Sequence, residues 1–185
     1  MNPLSTYSIE DIITLIEERK AENKYTEARQ IALQALAKYT EDYRIYEELA
    51  DIYIFEENLD KAEEVILYAR ALHPESGTGA YLEWYIATAR GDFDRAISIL
   101  LVANSKFPNN AEIIRNLGLS YVMRWEIPRW LGLLRRAYVL APTDIMVINN
   151  LWFALMTSGA VEEARELFEK NSQIIGRDAI QSIDN

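Results

Sequence analysis

Residue types along this chain recur every 34 positions. The units 9–42, 43–76, 77–110, 111–144 and 145–178 follow one another without insertion. Their twentieth positions hold Ala28, Ala62, Ala96, Trp130 and Ala164, and their twenty-seventh hold Ala35, Ala69, Ala103, Ala137 and Asn171. Their seventh hold Leu15, Leu49, Glu83, Leu117 and Leu151, and their thirty-second hold Thr40, Pro74, Pro108, Pro142 and Gly176. A fixed period of this length marks a stack of repeats, because each unit buries its apolar face only against its neighbours. The expected organisation is one repeat domain over residues 9–178, with an N-terminal segment 1–8 and a tail 179–185.

Within each unit the apolar spacing predicts two helices. In the second, Tyr46, Leu49, Ala50 and Tyr53 form one stripe, and Ala62, Val65, Ile66 and Ala69 form the next. Asp60, with Glu63 three residues on, has the form of a capping box. Pro74 closes the unit, since a helix usually stops before the residue preceding proline. Ser8 with Asp11 is a candidate cap for the first helix. Gly91-Asp92 and Gly159-Ala160 supply turns, glycine suiting the left-handed position after a helix end. Alanine at the twentieth and twenty-seventh positions lets helix backbones approach closely. In the fourth unit Trp130 replaces that alanine and Gly118 stands at the eighth position, so the indole is expected to cover the glycine.

These residues resemble the tetratricopeptide repeat family, whose pattern runs Trp-x2-Leu-Gly-x2-Tyr, then Ala-x3-Phe, Ala and Pro. The fourth unit matches it with Ile114, Leu117, Gly118, Tyr121, Leu134, Ala137 and Pro142. The second matches with Tyr46, Leu49, Ala50, Tyr53, Ala62, Ile66, Ala69 and Pro74. The resemblance implies an all-α, right-handed α-solenoid of five helix–turn–helix repeats, ten helices in all. In the fifth unit Asn171 replaces alanine, as expected if nothing stacks there, while Glu162, Glu163, Glu166, Glu169 and Lys170 give the last helix a polar face.

Charge and composition narrow the partners. The net charge is −10, and residues 1–76 carry 17 acidic and 8 basic side chains against 12 and 11 in the remainder. Such a chain repels phosphate backbones, so neither nucleic acid nor an anionic membrane is expected. There is no cysteine, hence no disulfide and no thiolate metal site. The opening residues contain neither a basic nor an apolar stretch, which favours a cytoplasmic protein over a secreted one.

Chemistry is sparse. His73 is the single histidine and is expected to be a solvated linker residue rather than a base. No nucleophile motif, phosphate-binding loop or metal-spaced cluster occurs, so no enzyme activity, metal or cofactor is expected. Adjacent carboxylates such as Glu47-Glu48 point about 100° apart on a helix and share no site.

The resemblance implies a concave wall built by the first helix of each repeat, through its positions 2, 5, 6, 9, 12 and 13. Carried over, the first two repeats present Glu10, Glu17, Glu47, Glu48 and Asp51, with Lys20 and Arg44 among them. The later repeats present Tyr81, Leu82, Tyr85, Leu119, Val122, Met123, Met146, Phe153 and Met156, interspersed with Arg115, Asn116, Asn149 and Asn150. Asn116 and Asn150, at the sixth position of consecutive repeats, are candidates for holding a peptide backbone, because an amide both donates and accepts. The family's carboxylate clamp is not matched, since the required cations are missing. The expected function is a non-catalytic adaptor that grips a peptide or helix with a basic part near repeats one and two and an apolar part near repeats three to five. Two other readings stay open: a dedicated chaperone for secreted or assembly subunits, and a self-assembling structural protein using the Trp125 edge or the C-terminal end. Trp125 and Ile127 are expected to pack locally over Trp130, the alternative being an interaction patch.

Overall fold

The computed structural model describes residues 6–181, with side chains described as far as residue 175. Parts of the N-terminal segment 1–8 and of the tail 179–185 therefore lie outside the described residues. Those described form ten helices and no strand: α1 (Ile9–Ala21), α2 (Tyr25–Ala35), α3 (Tyr43–Phe55), α4 (Leu59–Leu72), α5 (Gly77–Ala89), α6 (Phe93–Lys106), α7 (Ala111–Met123), α8 (Ile127–Leu140), α9 (Ile145–Thr157) and α10 (Val161–Gln181). Two helices thus fall in each of the five sequence units, and α1 with α2, α3 with α4, α7 with α8 and α9 with α10 pack as hairpins. The chain divides into two compact units between Arg90 and Gly91, so α5 belongs to the first and α6 to the second.

The first helix of each repeat starts where the sequence supplies a cap, whereas α2 and α8 start without a side-chain cap. The last position of each of the first four repeats, and the residue before the first, hold Ser8, Asp42, Ser76, Asn110 and Asp144, and every one accepts a hydrogen bond from a backbone N–H in the first turn of the next helix. Such a side chain satisfies one of the four N–H groups that a helix start leaves unpaired. Ser8 and Asp11 complete a capping box, as expected. The box expected at Asp60 does not form. Asn58 caps α4, its Oδ1 accepting from the Lys61 N–H at 3.3 Å, while Asp60 lies in the first turn and pairs with Arg90 at 2.6 Å. Asparagine two residues earlier is equally able to cap, and the hairpin turn brings it into register first.

The turn inside each hairpin repeats one backbone conformation. Asn23, Glu57, Gly91, Trp125 and Gly159 all have φ between 57° and 81°, and all stand at the fifteenth position of their repeat.

In the first unit the core joins Ile12 and Ile16 of α1, Ala28 and Ala32 of α2, Ile45, Leu49 and Ile52 of α3, Ala62 and Ile66 of α4, and Leu82 and Ile86 of α5. In the second, Ile97, Leu100, Ile114, Leu117, Leu134, Ile148, Leu151 and Leu155 are buried. The alanines at the twentieth and twenty-seventh positions are all buried.

Four expectations change on contact with the packing. Gly118 is covered by Leu134 and not by Trp130: a Cβ on Gly118 would meet Leu134 Cγ at 3.2 Å. Trp130 is itself buried and instead faces Phe153, with ring centroids 6.1 Å apart. Asn171 is not released by a missing neighbour. It is buried, and its Nδ2 donates to Leu167 O at 2.7 Å and to Tyr138 Oη at 3.1 Å. His73 is half-buried and stacks on Tyr43, ring centroids 4.3 Å apart, so it is not a solvated linker residue. Trp125 does not pack over Trp130; it stands 80% exposed in its left-handed turn.

Candidate functional site

The first helix of each hairpin supplies the expected wall residues, but packing sorts them sharply. In the first unit Glu47 is only 6% exposed and does not face a ligand. It lies against the N-terminus of α5, where a Cβ added to Gly79 would sit 2.7 Å from its Oε1, and that oxygen has no hydrogen-bond partner of good geometry. Burial pushes the Glu47 carboxyl above its ordinary pKa, and the neighbouring Ser76 hydroxyl and Gly79 amide hold the rise back. The next carboxylate, Glu48, is also pushed up by burial, opposed by Lys20. Lys20 reaches from α1 to Glu48 at 2.8 Å and to Asp51 at 2.5 Å. Burial alone would lower the Lys20 pKa, but its bonds to Asp51 and Glu48 outweigh that and hold it above the ordinary value. Arg44 is likewise engaged, by Asp42 at 2.7 Å and Glu10 at 3.4 Å. Much of the acidity expected of this wall is thus neutralised from within.

What the first unit does expose is aromatic. Tyr81 and Tyr85, one turn apart on α5, are exposed, and both line a cleft of about 440 Å³ together with Asp51, Ile54 and Leu82. Sequence reasoning missed three of its walls. Tyr25 opens α2, Phe55 ends α3, and their rings stack with centroids 3.4 Å apart, while Glu57 stands in the turn below. Phe55 occupies position 13 of its repeat, a wall position, so that signal was present; Tyr25 and Glu57 lie outside the first-helix positions and gave none.

In the second unit the same sorting applies. Asn116 is 2% exposed, and its Oδ1 accepts from Arg115 Nε at 3.3 Å and Nη2 at 3.0 Å. Asn150 is half-buried, with its Nδ2 enclosed and lacking a partner, whereas Asn149 is exposed. The two aligned asparagines therefore do not present a matched pair of amides. Met123 of α7 and Met146, Phe153 and Met156 of α9 are exposed, Phe153 to 56%. A cleft of about 200 Å³ opens beside Met123 and Phe153, bordered also by Val122, Trp125, Ile127, Trp130 and Thr157. Its border is almost wholly apolar, and Trp125 forms its outer lip. Among the described residues no group of three or more His, Asp or Glu side chains is placed to hold a metal ion. No helix among them is long and apolar enough to cross a membrane.

The sequence matches no protein-family model and no curated protein. The fold, by contrast, is shared with solved structures. MamA from residue 41 onward, from Desulfovibrio magneticus RS-1, superposes with a TM-score of 0.77 at 15% identity, over 91% of this chain and 95% of that one. PilF of Pseudomonas aeruginosa gives 0.81 at 16% identity, over 89% of this chain and 75% of that one. BtubC from P. vanneervenii gives 0.80 at 22% identity, over 94% of this chain and 81% of that one. All three are helical-repeat proteins of the tetratricopeptide type, and the fold of this chain is theirs.

Proposed function

We propose that this chain is a non-catalytic protein-binding scaffold. The observation that carries the proposal is the apolar surface on α7 and α9, where Met123, Met146, Phe153 and Met156 stay exposed, Met123 and Phe153 on the border of an apolar cleft. Burying one large apolar side chain is worth about 1.5–3 kcal/mol, so four of them left in solvent on facing helices mark a surface that gains much from being covered. Methionines and aromatic rings together suit a partner segment, because methionine adapts its shape to what it meets. The partner is a peptide or helix whose apolar residues seat on this surface.

Affinity capture from the native cell extract tests the reading. The double variant Met123→Asp, Phe153→Asp should lose the proteins that the unaltered chain retains, while its circular dichroism stays helical. An unchanged set of captured proteins would remove the basis of the proposal.

A second reading has its own observation. Trp125 is 80% exposed on the lip of the same cleft, and tryptophan is enriched at association hot spots. Self-association through this edge predicts a molar mass, measured by light scattering, that rises above the monomer's with concentration and stays at the monomer's in Trp125→Gly.

A further inference from the structure

We infer that the cleft of the first unit binds an arginine side chain of a protein partner. The inference rests on the scaffold reading for the class of partner, and on different residues for the chemistry. Four rings, Tyr25, Phe55, Tyr81 and Tyr85, wall a cleft of about 440 Å³ that also holds the carboxylates of Asp51 and Glu57. That volume falls within the roughly 300–1,000 Å³ typical of pockets that accept a discrete ligand group.

The lining selects for a flat cation. Ring faces carry partial negative charge and attract a cation within about 6 Å. Aliphatic side chains would satisfy the rings and ignore the carboxylates, and an anion would be repelled by both. The local charge is also unbalanced. Lys20 is the ammonium that meets Glu48 and Asp51, and Glu57 makes no ion pair among the described residues. Three carboxylates against one ammonium leave a deficit of two positive charges. Lys20 bonds Asp51 through Oδ2, and a carboxylate has room for more than one donor. The cleft's neighbourhood therefore already binds one cation from the chain itself and has capacity for another.

Guanidinium fits better than ammonium. It is planar, so it stacks on tyrosine and phenylalanine faces, and its spread of five N–H donors can serve two separated carboxylates at once. Phe55 is more than half exposed despite its stack with Tyr25, which leaves ring surface for such a partner.

The test is an NMR titration of the whole chain with the blocked heptapeptide Ala-Gly-Ala-Arg-Ala-Gly-Ala, against the same peptide with citrulline in place of arginine. Citrulline keeps the shape and removes the charge. The arginine peptide should shift the backbone amides of residues 51–57 and 81–85, with a dissociation constant on the order of 1 mM. The citrulline peptide should bind about five-fold more weakly or worse. Asp51→Asn with Glu57→Gln should abolish the difference between the two peptides. Lys20→Met, which removes the resident competitor, should tighten arginine binding. Equal binding of both peptides, shifts confined to α7 and α9, no saturation by 10 mM on the order-of-magnitude scale above, or weaker binding by Lys20→Met would each overturn the assignment. Met123→Asp, Phe153→Asp should leave the titration unchanged. A failed titration beside an intact dependence of partner capture on those two residues sinks the arginine site alone; unaltered capture sinks the scaffold reading alone.

Discussion

Glu47 shows how far a single position can depart from its neighbours. Positions 5 of the later repeats hold Tyr81, Arg115 and Asn149, of which Tyr81 and Asn149 are exposed and Arg115 is half-buried, yet Glu47 is enclosed. The difference comes from the next repeat: Ser76 and Gly79 at the start of α5 close over it, and Gly79 has no side chain to keep it out. Sequence periodicity reports which face of a helix a residue occupies, but not how near the next hairpin comes at that height. Asn116 is likewise enclosed, its Oδ1 held by Arg115 of the same helix. The burial has a consequence for pH. Because the folded pKa of Glu47 lies above the unfolded one, the native state binds more protons between the two values. Stability therefore falls as pH rises through that window. Glu47→Gln does not titrate and should be more stable than the parent at pH 7, because its amide carries no charge to be buried. The gap should close as the pH is lowered toward 4, on the model carboxyl scale. Thermal unfolding of both proteins at the two pH values checks this. A destabilised variant at pH 7 would mean that the N-terminus of α5 favours the carboxylate by more than burial opposes it.

At the level of the helix and its turns, the sequence was legible wherever a residue type recurs and silent wherever different types do one job. The two helices of each repeat follow from the spacing of alanine, leucine and proline alone. The row of caps at Ser8, Asp42, Ser76, Asn110 and Asp144 was equally periodic, but three amino-acid types share the task, so only Ser8 was recognised in advance. The left-handed position fifteen was visible at Gly91 and Gly159 and hidden at Asn23, Glu57 and Trp125. For a residue with a Cβ, that conformation costs about 1–2 kcal/mol. Trp125 bears the cost with little packing in return, since it is 80% exposed. Trp125→Gly should raise stability by about 1 kcal/mol, and Gly91→Ala should lower it by a similar amount. Denaturant midpoints of the two variants measure both. If Trp125→Gly were destabilising, the indole would be contributing contacts in solution, and self-association through that edge would gain support.

Across the whole molecule, charge is the property that divides unevenly. Residues 1–90 carry 18 acidic and 9 basic side chains, a net of −9, and residues 91–185 carry 11 and 10, a net of −1. The ion pairs of the first unit that hold structure together, Lys20 with Glu48 and Arg29 with Glu56, are partly buried. Salt screens such pairs weakly. Glu17, Glu18, Glu41 and Glu64 are exposed and make no ion pair among the described residues, so they contribute mainly repulsion. Raising ionic strength from about 0.01 to 0.15 M shortens the screening length from about 30 to 8 Å. It should weaken the repulsion more than the pairs, because the pairs are short and sheltered. The melting temperature should therefore rise with salt, by about 2–4 °C if roughly 1 kcal/mol of repulsion is removed. Replacing Glu18 and Glu64 by glutamine should raise the low-salt melting temperature and flatten its salt dependence. A melting temperature that falls with salt would show that the ion pairs outweigh the excess of negative charge. The same excess should draw a basic partner toward the first unit. Added salt should slow its association far more than it speeds its release, since long-range attraction acts on encounter and the contacts in the cleft act on departure.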